Sequence, residues 1–331
     1  MPEASEARAW AHSALKGIGD SLYTPFCGVD GDDIDWDAYR TLVRYCVGDL
    51  RHPMLWVTSG VAEFWSLTLP ERKRLLEVAI EEARAVNPDV VIQSCTAALS
   101  AKDCLELTLH AQDSGADIAY IQTPMMELHA GEGVLRFFRY ISDRTDIALG
   151  MFNSPSSGYV LNAAESARIV ETIPAVCATK EGAFRPANSR LLHELAPDLV
   201  IWECDTTVYR AGWLRAGIVG PAQLGTTGYL YETPQRRILT EYWDLIWNDK
   251  LVEAMDTPSS RGWTSSGSTC GRGSPAIPAG RTTSHIGAAR SSARRRCWAC
   301  QSATTRIPGL RRPNCRPRDA TRYAARTSVS G

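Results

Sequence analysis

Three features are missing from this chain, and each absence narrows the kind of protein it encodes. No apolar run reaches the roughly 18 residues of a membrane-spanning helix. The amino terminus lacks the basic and then apolar pattern of a secretory signal. No Gly-x-Gly-x-x-Gly follows the first strand-like run, so an open dinucleotide-binding sheet is not favoured. We therefore expect a cytoplasmic protein that does not span a membrane.

Lysine is also missing from the end of the chain. From Thr257 onward there are 14 arginines, no lysine and one acid, Asp319, so this segment carries +13 while the first 256 residues carry −14. The segment is rich in Arg, Ser, Gly, Pro and Thr, and only five of its residues are Ile, Leu or Val. Such a composition does not build a packed core. We predict a folded domain over residues 1–256 and a disordered tail over 257–331.

The composition of this tail is typical of GC-rich DNA read in a shifted frame. With one compatible choice of codons, reading from the third base turns the stretch from about Gly271 onward into an aromatic-rich loop followed by an Ala/Leu helix. We interpret residues 257–331 as a frameshifted remnant of C-terminal helices and not as a basic arm that binds nucleic acid. The isolated pair Cys297 and Cys300 is too weak a signal to predict a metal site.

Eight short apolar runs recur in the first 256 residues, each followed by a polar turn and a helix-like stretch. This alternation is typical of repeated βα units around a parallel sheet. Eight units in about 250 residues favour a closed (β/α)8 TIM barrel, an α/β fold. Helix starts are predicted at Thr68, Ser100 and Asn162. The predicted strands are residues 17–26, 53–59, 90–96, 117–123, 147–153, 175–180, 199–205 and 221–226.

Lys180 closes the sixth predicted strand, at the end of the barrel where catalytic groups lie. A charged amine is costly to hold in an apolar run, and a desolvated lysine that has lost its proton can attack a carbonyl to form a Schiff base. The alternative from position alone is an exposed lysine at a strand end. Other polar residues predicted at this edge are Glu63, Thr96, Asn153, Asp205, Thr226 and Thr227.

Four segments resemble one known family in order, spacing and strand assignment: residues 22–26, 59–71, 152–155 and 179–182. Over roughly residues 15–256 the chain resembles the dihydrodipicolinate synthase and N-acetylneuraminate lyase family of Schiff-base barrels. The resemblance implies that Lys180 condenses with the ketone of pyruvate or another 2-oxo acid, with no cofactor. It also implies a homo-oligomer, either a dimer or a tetramer.

The departures from the family pattern concern proton transfer. Phe152 stands where the family has a catalytic tyrosine, and phenylalanine cannot do acid-base work. Ser59, Gly60 and Val61 replace the Gly-Thr-Thr that binds the substrate carboxylate, although backbone amides there could still bind one. Ser157 stands at the place of an arginine that often contacts the same carboxylate.

Six further positions are candidates for substrate contacts or for structural roles. The resemblance implies that Asp205 matches a position that contacts polar substrate groups in lyase-like members, and that Thr226 matches a hydroxyl-bearing position on strand eight. Both are candidates for substrate binding, although a carboxylate at a strand end is more often a cap. Met125 and Met126 replace paired tyrosines and favour apolar packing. Glu63 is expected to be structural and His129 to be solvated, as loop histidines usually are. These residues complete the set of candidate site positions.

Three functions remain open on the sequence. The leading hypothesis is a Schiff-base lyase or aldolase that acts on a 2-oxo acid or its aldol adduct. The second is a dehydratase or hydratase of a 2-oxo sugar acid or an aryl-pyruvate adduct, through the same imine. The third is a non-catalytic 2-oxo acid binder or an inactive relic, since several relay positions are lost at once.

Overall fold

The computed structural model describes residues 6–124, 131–182, 185–203, 223–248 and 250–257. Met125, Met126, His129 and Asp205 lie outside the described residues, and so does the segment 258–331. The disordered tail and its frameshift origin therefore stay predictions. Within the described ranges, no helix is both long enough and apolar enough to cross a membrane.

The described part of the chain alternates strands with helices. The strands are β1 (Gly17–Ser21), β2 (Phe26–Cys27), β3 (Asp33–Ile34), β4 (Met54–Val57), β5 (Val91–Cys95), β6 (Ile118–Gln122), β7 (Ala148–Asn153), β8 (Val176–Glu181), β9 (Val200–Glu203) and β10 (Gln223–Thr226). The helices are α1 (Ala7–Ala14), α2 (Trp36–Arg44), α3 (Leu69–Val86), α4 (Ala101–Ser114), α5 (Gly131–Ser142), α6 (Ala163–Thr172), α7 (Pro186–Leu195), α8 (Ile238–Trp247) and α9 (Leu251–Asp256).

Eight of these strands form a closed barrel in the order β1-β10-β9-β8-β7-β6-β5-β4. All neighbouring pairs around the barrel run parallel. The predicted (β/α)8 barrel is confirmed, and each of the eight predicted strands contains one barrel strand or overlaps it. The carboxyl ends of the strands consequently meet at one mouth of the barrel.

The first predicted strand, residues 17–26, is too long. β1 ends at Ser21, and Phe26 belongs instead to the small antiparallel sheet of β2 and β3. Pro25 has no backbone N–H to donate to a ladder. Thr24 donates its hydroxyl to the carbonyl of Ala62, 2.8 Å away in the loop after β4. The chain therefore turns across the barrel mouth before it reaches Phe26.

Alternating residues of several barrel strands, among them β4, β6 and β9, belong to two different cores. In β4, Leu55 and Val57 pack in the outer core with the helices. Met54 and Trp56 pack in a separate cluster inside the barrel. Because both faces are covered, the strands read as nearly continuous apolar runs, as parallel strands do.

The predicted helix starts are confirmed. Thr68 caps α3 and Asn162 caps α6, each in a capping box completed by a glutamate three residues later, Glu71 or Glu165. Ser100 caps α4 by accepting from the amide of Asp103. Each such cap stabilises its helix by about 1 kcal/mol and fixes where the preceding loop ends.

Candidate functional site

Lys180 is the penultimate residue of β8 and points into the barrel. It alternates with Ala178, which belongs to the interior cluster. The side chain is 8% exposed, so it is buried close to the barrel mouth. The strand continues one residue beyond the predicted end, to Glu181. The alternative interpretation of Lys180 as an exposed lysine at a strand end is therefore wrong.

Three aromatic rings surround the Lys180 amine, and we refer to Trp56, Phe152 and Trp202 as the aromatic cage. The Lys180 Nζ lies 3.9 Å from the ring centroid of Trp56, 4.4 Å from that of Phe152 and 5.4 Å from that of Trp202. Phe152 and Trp202 are the register partners of Lys180 on β7 and β9. A cation over a ring face gains about 0.5–2 kcal/mol, so the cage favours a positive charge at this nitrogen.

The cage rests on further aromatic packing inside the barrel. Trp202 and Trp56 meet edge to face at 4.9 Å between centroids. The indole N–H of Trp202 donates to the Tyr120 hydroxyl at 2.8 Å. Tyr120 lies against Gly150, where an added Cβ would come within 2.4 Å of the ring. The interior next to Lys180 is therefore filled with rings whose positions are fixed by one another.

Asn153 and Thr96, which were predicted at the same edge as Lys180, face the outer layer. Asn153 donates to the Glu181 carboxylate at 3.0 Å. Thr96 is bonded to the hydroxyl of Thr108 in α4, at 2.9 Å. Burial raises the pKa of Glu181, and the hydrogen bond from Asn153 opposes that shift. The side chains of Asn153 and Thr96 therefore stabilise the outer face of the strands and do not face the Lys180 amine.

The turn of residues 59–63, which is predicted to bind a carboxylate, forms hydrogen bonds within itself. The amide of Val61 donates to the Ser59 hydroxyl at 3.3 Å. The amides of Ala62 and Glu63 donate to the carbonyls of Ser59 and Gly60, both at 3.1 Å. Three amides of the turn thus have partners inside it. Carboxylate binding by Ser59, Gly60 and Val61 stays a prediction.

The same turn is flanked by strained backbone. Thr58 has φ of 54° and Glu63 has φ of 55°, the left-handed region that non-glycine residues rarely adopt. Each such residue costs about 1–3 kcal/mol and persists only where its surroundings hold it. The Thr58 hydroxyl donates to the Cys95 carbonyl at 2.9 Å. The structural role expected for Glu63 stays a prediction.

The remaining predicted positions fall at the barrel mouth or outside the described residues. Thr226 ends β10 and is the register partner of Asp20 on β1, while its side chain is not described. Ser157, at the place of the family's arginine, accepts from the Thr123 hydroxyl at 2.7 Å and donates to the Tyr159 carbonyl at 2.7 Å. Ser157 therefore stabilises its own loop.

Sequence reasoning did not find Trp56 or Trp202. Both lie inside predicted strands. Trp56 is two residues from the inward Met54, and Trp202 is two residues from the inward Val200. This two-residue spacing indicates that both side chains point inward, but it does not show which rings meet across the barrel. Among the described residues, no group of three or more His, Cys, Asp or Glu side chains is arranged to hold a metal ion.

Comparison with known proteins agrees with the fold and the sequence motifs. The model of the dihydrodipicolinate synthetase family matches residues 14–225. A 4-hydroxy-tetrahydrodipicolinate synthase of Nitrobacter hamburgensis is 28% identical over 189 residues, which are 56% of this chain and 61% of that protein. One of Thermotoga neapolitana is 30% identical over 169 residues, which are 50% of this chain and 55% of that protein.

A solved structure supports the barrel alone. The N-acetylneuraminate lyase of Fusobacterium nucleatum superimposes with a TM-score of 0.62 at 18% identity, covering 73% of this chain and 79% of that one. The chain spans 55 to 63% of the length of the first three curated relatives that it matches. Because the family model matches more than half of the chain, the protein belongs to the dihydrodipicolinate synthetase family.

Proposed function

We propose that this protein is a class I lyase or aldolase in which Lys180 forms a Schiff base with a 2-oxo acid. The observation that carries the proposal is the position of Lys180: a buried amine, 8% exposed, pointing inward at the carboxyl end of a barrel strand. Catalytic groups of TIM barrels come from this end of the strands. The curated relatives named above are synthases of the same family.

The chemistry requires one nucleophile and one electron sink. The neutral amine of Lys180 adds to the ketone, and loss of water gives a protonated imine. The hydroxyl on the second carbon from the iminium carbon gives its proton to water, and the bond between the first and second carbons breaks. Its electrons turn the iminium into an enamine while an aldehyde fragment leaves. Protonation of the enamine and addition of water release the second fragment and restore the amine. The positive charge of the iminium lies where the aromatic cage stabilises it.

Proton transfer is the weak step of this scheme. Phe152 lies beside the amine without a hydroxyl, so water or another side chain has to move the protons. General acid-base catalysis contributes about 10²–10⁴-fold to a rate. We therefore expect imine formation to be slow compared with a protein that has a tyrosine at this position.

The aromatic cage also favours a second candidate, the dehydration or hydration of a 2-oxo sugar acid or an aryl-pyruvate adduct. An apolar wall suits an aryl group, and the same imine serves both reactions. Product analysis separates them, because a lyase releases two carbon fragments and a dehydratase releases one fragment and water. An inactive binder would retain ligand without turning it over.

We expect the protein to act in the cytoplasm as a homo-oligomer, a dimer or a tetramer, without nucleic acid or membrane partners. Light scattering on the purified chain tests the assembly. A monomer at micromolar concentration would contradict this expectation.

Borohydride trapping tests the Schiff base directly. The full chain is incubated with a panel of 2-oxo acids, reduced, and analysed by intact mass and peptide mapping. We expect an adduct of ligand mass on Lys180 that is absent from Lys180→Ala. Lys102→Ala, which removes an exposed lysine of α4, is the matched control and should keep the adduct. An adduct retained by Lys180→Ala, or none in the unmodified protein, would refute the proposal.

A further inference from the structure

A glutamine lies inside the barrel beside the aromatic cage. Gln122 ends β6, and the alternate residues Ile118 and Tyr120 of that strand belong to the interior cluster. By the alternation of a strand, Gln122 is the next inward position toward the barrel mouth. Its side chain is only 2% exposed. A carboxamide therefore occupies a place where the neighbouring inward residues of its strand are apolar or aromatic.

Among the described residues, only one end of the Gln122 amide has a partner. Its Nε2 donates to the Ser156 hydroxyl at 2.6 Å, while Oε1 is buried with no hydrogen-bond partner. The oxygen and nitrogen of an amide are assigned from such contacts, so either atom could face Ser156. In both orientations the other end is left unpaired. An unpaired buried polar group costs about 1–3 kcal/mol, which calls for a compensating interaction.

The unpaired amide belongs to the same row as the amine. Gln122 is the register partner of Phe152, and Phe152 is the register partner of Lys180. Two strand spacings separate the Cα atoms of Gln122 and Lys180, about 10 Å. Both side chains point inward from this wall. Phe152 stands between them in this row and its ring contacts the Lys180 amine, so a molecule that reaches both groups lies over that ring, with its ketone carbon at Lys180 and its hydrogen-bonding group toward Gln122.

The hydrogen bond to Ser156 accounts for one of the two polar atoms of the Gln122 amide. A structural link to the loop after β7 needs one polar atom, and an exposed serine supplies its partner. It does not account for a second polar atom buried at the wall of the site. A hydroxyl satisfies that atom in either amide orientation, because a hydroxyl both donates and accepts.

We propose that Gln122 is a specificity-determining residue that binds the hydroxyl group of a hydroxylated 2-oxo acid while Lys180 holds its ketone. The substrate class is a 2-oxo acid with a hydroxyl two carbons from the ketone carbon, which is the form of an aldol adduct. This inference rests on the proposed function of Lys180. Removing the Gln122 amide should weaken the binding of the hydroxylated acid more than the binding of pyruvate.

The test compares two acids on the same lysine. Half-saturation concentrations for borohydride trapping are measured with 4-hydroxy-2-oxopentanoate and with pyruvate, and their ratio is the readout. Gln122→Met keeps the side-chain volume and removes the amide, so the preference for the hydroxylated acid should fall about 5- to 150-fold, as 1–3 kcal/mol implies. Gln112→Met, which changes a glutamine of α4, should keep the ratio of the unmodified protein.

Each result bears on one of the two proposals. An unchanged ratio in Gln122→Met, with adducts still on Lys180, overturns the role of Gln122 and leaves the Schiff base intact. No adduct with either acid in the unmodified protein overturns both. If Gln122→Met does not fold, Gln122→Asn replaces it, because the shorter amide withdraws from the hydroxyl by one carbon. The same loss of preference is then expected.

Discussion

Phe152 and Lys180 are register partners on neighbouring strands, and the Lys180 Nζ lies 4.4 Å from the centre of the Phe152 ring. The ring is 5% exposed and packs edge to face against Trp56. A ring without a hydroxyl thus contacts the Lys180 amine at the position where the resemblance places the family's tyrosine.

Restoring the hydroxyl should therefore restore proton transfer. In Phe152→Tyr we expect the rate of imine formation to rise about 100-fold, the lower end of the range for general acid-base catalysis. Rapid-quench borohydride trapping measures that rate. Phe152→Leu removes the ring without adding a hydroxyl and should not exceed the unmodified protein. Equal rates in Phe152→Tyr and the unmodified protein would show that the ring position does not serve proton transfer.

The sequence predicted those parts of the fold and site that depend on local pattern. Lys180 and Phe152 were assigned to strand ends because apolar runs and polar turns bound their strands. The contact between Lys180 and Trp56 joins strands far apart in sequence, so no local pattern indicates it. The end of β1 was missed because residues beyond Ser21 remain apolar after the barrel pairing stops.

Gly150 is required by the ring of Tyr120. A Cβ at position 150 would lie 2.4 Å from that ring, which is closer than real contacts allow. The ring is held by Trp202, so it cannot move aside freely. We expect Gly150→Ala to lower the free energy of unfolding by about 1–3 kcal/mol or more, as overpacking does. Urea unfolding followed by circular dichroism measures the change.

Gly133 provides the matched control. It lies in the first turn of α5, and an added Cβ would meet nothing within 4 Å. Gly133→Ala should therefore stabilise the protein by about 0.5–1 kcal/mol, because alanine has the better helix propensity. Equal effects of the two substitutions would contradict the close packing of Tyr120 against Gly150.

Arg72 fixes the carboxyl end of β5. Its guanidinium donates to the carbonyls of Ala97 and Cys95, at 2.7 and 2.8 Å, and lies over the Phe64 ring at 5.1 Å. The side chain is 4% exposed. A lysine cannot reproduce the two-pronged contact, so Arg72→Lys should cost about 1–3 kcal/mol in urea unfolding.

The control for this substitution is Arg74→Lys in the same helix. Arg74 is 49% exposed and pairs with Glu77 on the surface. Exposed ion pairs contribute about 0–1 kcal/mol, and either cation can make them. Arg74→Lys should therefore change the unfolding free energy by less than about 0.5 kcal/mol. Matching losses at Arg72 and Arg74 would show that the carbonyl contacts do not stabilise the barrel.

His52 joins β1 to the loop after β10 through two buried carboxylates. Its Nδ1 lies 2.5 Å from Asp20 and its Nε2 lies 2.6 Å from Glu232. Burial opposes the charged imidazolium, but the carboxylates, with Asp20 foremost, outweigh it and raise the pKa of His52 to about 9. Glu232 in turn accepts from the amides of Leu239 and Thr240 at the start of α8.

This raised pKa predicts an alkaline loss of stability. The unfolded histidine has a pKa of about 6.5, so the stabilisation is complete below that pH and disappears as the pH rises through about 9. The shift corresponds to about 3 kcal/mol. Buried Cys46 adds to the same loss, because burial raises its pKa while the unfolded thiol ionises near 8.5. His52→Gln removes only the histidine contribution.

The comparison of the two proteins isolates His52. Urea unfolding of the unmodified protein should lose about 3 kcal/mol more between pH 6.5 and pH 10 than unfolding of His52→Gln over the same range. The variant should be less stable at pH 6.5, because the two buried carboxyl groups then lose the imidazolium that lies between them. Parallel pH profiles would mean that the imidazole is neutral between its carboxylates, and the ion pairs that tie β1 to α8 would then not form.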